Sequence, residues 1–176
     1  QMNYCRWSKS LGSLEGDALS AWGTPSYNFW KHHHQPTIFF TLFDLRDFLA
    51  LFLHQGKRYI LWGGSDTKIL ESNFQMRGGK LKWLSRIFPF LPRLIANWIN
   101  KNCENWVENN WEKKTLRKTG IRVKGVCPSF MGDVKNYKVS YKSRKRPNVY
   151  LSAGEGRERE YGWTTALNIA YALPEV

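Results

Sequence analysis

The chain has 176 residues and a formal net charge of +13, and 42% of its residues are apolar. This length and composition predict one folded domain with a real core and room for part of a second, and they exclude disorder throughout the chain. No apolar run approaches the roughly 20 residues of a membrane span, the first residues lack a secretory pattern, and the widely spaced cysteines favour a reducing cytoplasm.

Basic residues are concentrated in the middle and the end of the chain. Residues 1–56 hold four basic and four acidic side chains, whereas residues 57–101 hold nine and two, and residues 102–176 hold fourteen and eight. The excess predicts a polyanionic partner, which can be a nucleotide phosphate, an anionic lipid headgroup or a nucleic acid.

The first 36 residues have mixed signals. The sequence MNYCRW is compatible with a short strand, and the Gly-, Ser- and Pro-rich stretch 8–28 predicts a loop. His32, His33 and His34 are consecutive, so they do not share one face of a helix or strand. We therefore interpret them as a surface loop and predict no metal site.

Residues 37–62 predict a βαβ unit. TIFFTLF at 37–43 has the continuous apolar character of a strand buried on both faces. Asp44 is then expected to cap a helix that ends before Gly56, and 59–62 predicts a second strand, parallel to the first. The expected apolar face of the helix consists of Leu45, Phe48, Leu49, Phe52 and Leu53.

The sequence GGSDT at 63–67 follows the second strand at once, where a sheet strand gives way to a helix. Gly63 and Gly64 allow close approach of a ligand or of another backbone, and Ser65 is a capping residue type. We predict that these three residues bind substrate at the carboxyl end of the strand. Asp66 has two interpretations, as a general base for a hydroxyl group or as a helix cap.

Residues 80–101 combine helical apolar spacing with basic side chains and contain no acid. Pro89 and Pro92 are expected to interrupt the helix. One interpretation is a helical pair packed on the core with a solvated basic side. The other is an anionic membrane surface site, in which aromatic and aliphatic side chains enter the headgroup boundary.

The remaining segments predict alternating elements and a change of domain. A strand is expected in CENWVEN, a helix in WEKKTLRKTG with Leu116 inward and Gly120 as its stop, and a strand in IRVKGVCP. The polar cluster of Glu104, Asn105 and Glu108 is interpreted as surface. Residues 131–147 have the composition of a basic linker, and 148–176 predict one strand and one helix with no partner strand.

Three successive segments of the sequence resemble a known family in their layout. They are FDLRDFLALFLHQGKRYILWGGSD, then ENWVENNWEKKTLRKTGI with the strand to CPSF, then NVYLSAGEGREREYGW. Their layout resembles glycosyltransferases of the GT-B type, which have two Rossmann-like domains. The resemblance implies an α/β fold with an open, mostly parallel sheet and helices on both faces. It implies an acceptor-side domain at 1–130, the linker at 131–147, and the first βα unit of a truncated donor-binding domain at 148–176.

The resemblance also implies a function. A sugar would pass from a nucleotide-sugar donor to a glycan or lipid-linked acceptor, with the donor as substrate, no cofactor and no metal. Asp66 would be catalytic, and the donor would be bound in the second domain by Gly154, Glu155, Gly156, Arg157, Arg159 and Tyr161. The other interpretation of this segment is a solvated loop of alternating charge, because Glu155, Glu158 and Glu160 interleave with the arginines. A glycine-rich loop after a first strand is not evident in residues 2–36, and the acidic motif that such enzymes carry late in the second domain would lie beyond Val176.

Two alternatives from other classes stay open. The basic balance is compatible with a nucleic-acid-binding protein, although the basic residues of 77–101 lie among apolar residues at kinked-helix spacing and form no recognisable reading motif. The second alternative is a catalytically inactive binding domain associated with the membrane, peripheral to the cytoplasmic face.

Overall fold

The computed structural model describes residues 3–72, 74, 80–129 and 163–172. The chain divides into two compact units, 1–136 and 137–176, and each is considered by itself. The predicted linker and the predicted strand from Asn148 lie outside the described residues. In the second unit a single helix is described, and it falls within the segment that the sequence predicts as helical.

The first unit alternates strands and helices. The strands are β1 (Tyr4–Trp7), β2 (Thr37–Phe40), β3 (Arg58–Trp62), β4 (Cys103–Val107) and β5 (Val123–Val126). The helices of the chain are α1 (Glu15–Trp22), α2 (Phe29–His32), α3 (Leu45–Leu53), α4 (Asp66–Glu71), α5 (Lys80–Ile87), α6 (Leu91–Asn102), α7 (Asn110–Lys118) and, in the second unit, α8 (Trp163–Ala172).

The five strands form one parallel sheet in the order β1-β2-β3-β4-β5. Strand β3 is central, and its residue Ile60 pairs with Phe39 of β2 on one side and with Asn105 of β4 on the other. The predicted α/β fold with an open parallel sheet is confirmed. All five strands therefore end at the same edge, which we call the carboxyl edge.

Helices cover both faces of the sheet, as predicted. Helices α3, α4, α6 and α7 bury apolar side chains against the face that carries Phe39, Ile60 and Val107. Helix α1 packs against the opposite face, where Ala18 meets Phe40 and contributes to a smaller cluster. The connections after β1 and β2 therefore leave the carboxyl edge toward opposite faces, although the strand order does not reverse.

The prediction of a loop at 8–28 is wrong for residues 9–22 and correct for residues 23–28. A 3-10 helix at Lys9–Leu14 leads into α1, and Ala18 of α1 is fully buried. Small side chains give this stretch weak local helix preference, but burial against the sheet stabilises the helix regardless of that preference. The surface-loop interpretation of the histidines is also only partly correct, since His32 ends α2 and stacks on Tyr4 at 3.8 Å between ring centroids.

Helix α3 begins where the sequence predicts. Asp44 accepts a hydrogen bond from the Asp47 N–H, and the Asp47 carboxylate accepts one from the Asp44 N–H, which forms a capping box. The predicted apolar face is wrong in part. Leu49 and Leu53 are 46% and 58% exposed, whereas Leu51 is fully buried. The buried face of α3 is therefore rotated about the helix axis by about one residue from the predicted face.

Helices α5 and α6 form the predicted interrupted pair. The break falls at residues 88–90, which include Pro89, and Pro92 lies in the first turn of α6, where a missing N–H costs nothing. Among the described residues no helix is long and apolar enough to cross a membrane.

The predicted β-α-β order after residue 102 is confirmed by β4, α7 and β5. Leu116 is fully buried, and Gly120 has φ +83°, a value that ends α7 at low steric cost.

Candidate functional site

Loops from four neighbouring strands meet at the carboxyl edge of the sheet. Thr41 follows β2, Gly63 follows β3, Glu108 follows β4 and Cys127 follows β5. The Thr41 N–H still donates to the Leu61 carbonyl at 3.1 Å, so the ladder continues to the rim. Ligands of open parallel sheets bind outside this edge.

Asp47 joins the ends of β1 and β2. Its carboxylate pairs with the Arg6 guanidinium at 2.6 Å and accepts the Ser8 hydroxyl at 2.8 Å and the Phe43 N–H at 2.9 Å. Asp47 is 1% exposed. This fully bonded side chain closes the space between two connections that leave toward opposite faces, so its role is structural.

Asp66 joins the ends of β2 and β3. One carboxylate oxygen accepts the Gly63 N–H at 3.1 Å and the other accepts the Leu42 N–H at 3.3 Å. Burial raises the pKa of Asp66 well above its ordinary value, the Glu112 carboxylate raises it further, and the bonds from backbone N–H groups oppose both effects. With no exposed surface, Asp66 has the surroundings of a loop-ordering residue and does not face an incoming hydroxyl group.

Glu112, in the first turn of α7, joins the ends of β3 and β4. One oxygen accepts the Gly64 N–H at 2.6 Å and the other accepts the Glu108 N–H at 3.0 Å. The side chain is 2% exposed. Asn109 caps the same helix by accepting the Glu112 N–H at 3.0 Å. The sequence analysis missed Glu112, although an acid in the third position after an Asn cap is a recognisable sign of such back-bonding.

Glu108 differs from these three acids. It is half-buried, and its carboxylate accepts the Ser129 hydroxyl, which joins the ends of β4 and β5. Burial and then the nearby Glu112 charge raise the pKa of Glu108 to about 7. A Cβ added at Gly63 would lie 2.6 Å from Oε2 of Glu108, so the glycine is what lets this carboxylate lie against β3. Glu108 can exchange a proton near neutral pH.

Thr41 is the strained residue of the carboxyl edge. Its φ is +61°, a conformation that β-branched residues rarely adopt, and its buried hydroxyl has no hydrogen-bond partner in the described part of the chain. Strain of about 1–3 kcal/mol and an unsatisfied hydroxyl are characteristic of ligand sites. Thr41 directly precedes Leu42, whose N–H is held by Asp66.

The predicted site residues fall into two groups. Gly63, Gly64, Ser65 and Asp66 lie together after β3, with Gly64 and Ser65 exposed and Gly63 and Asp66 buried. Gly64 has φ +72°, and Ser65 precedes α4 without accepting a capping bond through its side chain. The predicted donor-binding residues at 154–161 lie outside the described residues.

The polar cluster of β4 is split by the sheet. Glu104 lies at the opposite, amino edge and pairs with Lys57 at 3.0 Å and Lys124 at 2.6 Å, which agrees with the surface interpretation. Asn105 is 2% exposed and accepts the Trp62 indole N–H at 3.1 Å, so the surface interpretation is wrong for Asn105. Glu108 is half-buried, at the end of β4 that lies on the carboxyl edge.

A separate apolar cavity of about 310 Å³ opens on the face of the sheet that α1 partly covers. Its lining consists of Asn3, Ile38, Tyr59, Ile60, Leu61, Trp106 and Cys127. Few of these side chains could orient a sugar or a phosphate, so the carboxyl edge is the better candidate. Within the described ranges no three His, Cys, Asp or Glu side chains are grouped to hold a metal ion.

The fold and site define an α/β protein with a parallel sheet and a carboxyl edge ordered by acidic side chains. Comparison with models of known protein families, with curated proteins and with solved structures gave no match. Function is therefore argued from the site, because this fold class hosts many activities.

Proposed function

We propose that the chain carries the acceptor-side domain of a glycosyltransferase that uses a nucleotide-sugar donor. The observation that carries the proposal is Glu108, a half-buried carboxylate with a pKa of about 7 at the carboxyl edge of a parallel sheet. A general base is most effective when its pKa lies near the working pH, and a carboxylate with a pKa of about 7 meets this condition for activating a sugar or lipid hydroxyl group. Exposed Gly64 and Ser65 are close along the same edge and offer polar groups to an acceptor.

In the proposed reaction, Glu108 removes the proton of an acceptor hydroxyl group. The acceptor oxygen forms a bond to the anomeric carbon of the donor sugar, while the bond from that carbon to the diphosphate oxygen breaks. The nucleoside diphosphate leaves with the electron pair. Positive side chains and backbone N–H groups stabilise such a leaving group.

Asp66 has a supporting role in this proposal. Its two hydrogen bonds hold the loops after β2 and β3, so it positions Gly63 beside Glu108. This revises the assignment of the base from Asp66 to Glu108, and Asp66 becomes a positioning residue.

The proposal is tested by incubating the chain with uridine, guanosine and adenosine diphosphate sugars and a panel of glycan and lipid acceptors, and measuring release of nucleoside diphosphate. We expect Glu108→Gln to lower the transfer rate about 10²- to 10⁴-fold. Glu104→Gln is the matched control, because Glu104 is on the same strand at the opposite edge, and it should leave the rate unchanged.

An unchanged rate in Glu108→Gln would contradict the assignment of the base. Steeply salt-dependent oligonucleotide binding, without binding of any nucleotide sugar, would contradict the glycosyltransferase proposal itself and would favour a nucleic-acid-binding protein.

A further inference from the structure

Helices α5 and α6 expose an apolar surface that the sheet does not cover. Its members are large side chains from the end of α5, the turn and the start of α6, and we call them the apolar tip: Trp83, Ile87, Phe88, Phe90 and Leu94. Each of them is between 45% and 62% exposed. They are neighbours, because Trp83 and Ile87 share one helical face and the rings of Phe88 and Phe90 lie 6.0 Å apart.

The apolar tip is held on a rigid base. On the opposite side of α6, Ile95, Ala96 and Ile99 are buried in the main core, and Ser85 of α5 is buried as well. The exposed side chains therefore do not result from a helix that has failed to pack. They form the solvent-facing side of the α5 and α6 pair, whose other side is already packed.

Basic side chains accompany the apolar tip along α5 and α6. We call them the basic flank, and they are Lys80, Lys82, Arg86, Arg93 and Lys101. No acidic residue occurs between Glu71 and Glu104 in the sequence. The ion pairs seen among the described residues involve Arg6, Lys57, Lys118 and Lys124, and no member of the basic flank is in one of them.

We propose that this surface binds an anionic lipid membrane, with the apolar tip in the headgroup boundary and the basic flank on lipid phosphates. Aromatic and aliphatic side chains ringed by lysine and arginine are the arrangement that interfacial helices use. This surface is independent of the carboxyl edge, so membrane binding does not depend on the proposed transfer reaction.

Lipid fits this surface better than two other occupants. Aliphatic side chains such as Ile87 and Leu94 gain free energy in hydrocarbon but have no role on a phosphate backbone, and the edge-to-face Phe88 and Phe90 rings do not present an open stacking platform to bases. A second copy of the chain would bring another net charge of +13 to the contact, which repulsion disfavours.

The test is co-sedimentation of the 176-residue chain with vesicles of phosphatidylcholine alone and with vesicles of equal parts phosphatidylcholine and phosphatidylglycerol. We expect binding to the anionic vesicles only. Neutralising Arg86 and Arg93 together (Arg86→Gln, Arg93→Gln) should lower the partition coefficient on the order of tenfold or more. Replacing Trp83 and Phe90 by Ser should lower it about as much. All four side chains are exposed, so the variants are expected to fold.

Matched controls come from the same chain. Trp30 is 83% exposed on α2, and Lys114 is exposed on α7, so Trp30→Ser with Lys114→Gln removes an equivalent ring and a charge from elsewhere. This control should bind like the unmodified chain. Trp83→Phe should keep most of the binding but reduce quenching of tryptophan fluorescence by brominated lipid chains.

Several outcomes would overturn the proposal. They are equal binding to both kinds of vesicle, equal loss in the Trp30 and Lys114 control, no vesicle binding by the unmodified chain, and competition that removes the chain from anionic vesicles when oligonucleotide, but not free phospholipid headgroup, is added.

Discussion

Glu104 and Glu108 lie on the same strand, and their surroundings move their pKa values in opposite directions. Hydrogen bonds from Lys124 and Lys57 lower the pKa of Glu104, whereas burial and the Glu112 charge raise that of Glu108 to about 7. Identical side chains four residues apart therefore differ in chemistry. Only Glu108 is suited to accept a proton at neutral pH, and it is the one at the carboxyl edge.

The two glycines that follow β3, Gly63 and Gly64, should respond differently to alanine. A Cβ at Gly63 meets the mobile end of the Glu108 side chain, so Gly63→Ala should cost less than about 1 kcal/mol in stability but displace the carboxylate and lower transfer about 10²-fold. A Cβ at Gly64 meets open space, but φ +72° is unfavourable for alanine, so Gly64→Ala should cost about 1–2 kcal/mol. Urea unfolding and initial rates measure both, and equal effects of the two variants on the rate would contradict this account.

The burial of His54 leads us to expect a loss of stability in acid. It is buried, hydrogen-bonded through Nδ1 to the Tyr27 hydroxyl at 3.1 Å, and its pKa is lowered from 6.5 to about 4 by burial and then by the Arg58 cation. The folded state thus binds fewer protons than the unfolded state. The contribution of His54 to the free energy of unfolding is fully present above pH 6.5. It declines toward pH 4 by on the order of 2–3 kcal/mol.

Urea unfolding between pH 4 and pH 7 measures the His54 contribution. His54→Phe retains a ring against Phe39 and should flatten the pH dependence. An unchanged slope in His54→Phe would assign the acid sensitivity to other groups.

At the scale of elements, acidic side chains tie each loop of the carboxyl edge to the next. Asp47, Asp66, Glu112 and Glu108 bridge successive pairs of strand ends from β1 to β5. Three of these bridges accept hydrogen bonds from backbone N–H groups, which fixes the loops relative to one another.

Glu112→Gln tests one of these bridges. An amide has one acceptor oxygen, so one of the two N–H groups from Gly64 and Glu108 loses its partner in a buried place. We expect a cost of about 1–3 kcal/mol in urea unfolding. Glu71→Gln, which removes an exposed 3.2 Å pair with Lys118, is the control and should cost less than about 1 kcal/mol. Equal costs would show that Glu112 has no special role.

Local sequence patterns predicted most helices and strands of the first unit, because in these elements the apolar runs, caps and prolines agree with the way the elements pack. Strands β2, β3 and β4 have apolar runs, α3 has Asp44 as its cap, α7 has Gly120 as its stop, and Pro89 separates α5 from α6. Helix α1 was missed because its stability comes from Ala18 against the second face of the sheet, a contact that no local pattern contains.

At the scale of the whole molecule, strand order and long-range contacts place residues that are distant in the sequence next to one another. Gly63 and Gly64 were predicted as a site from their position after a strand, and they lie there. Glu112 was not predicted, because its contact with Gly64 spans 48 positions. Burial and the Glu112 charge raise the pKa of Glu108, so the identity of the base could not be read from local sequence.

The most direct test of the account is the ionisation of Glu108 in the intact chain, followed by carbon NMR of ¹³C-labelled glutamate carboxyl groups, with Glu108→Gln for assignment. We predict titration near pH 7 for Glu108 and below 4.5 for Glu104, with the Glu108 value falling when Glu112 is replaced by Gln. A Glu108 signal that titrates near 4.5, or one that Glu112→Gln leaves unmoved, would contradict the assignment of the carboxyl edge as a site of proton transfer.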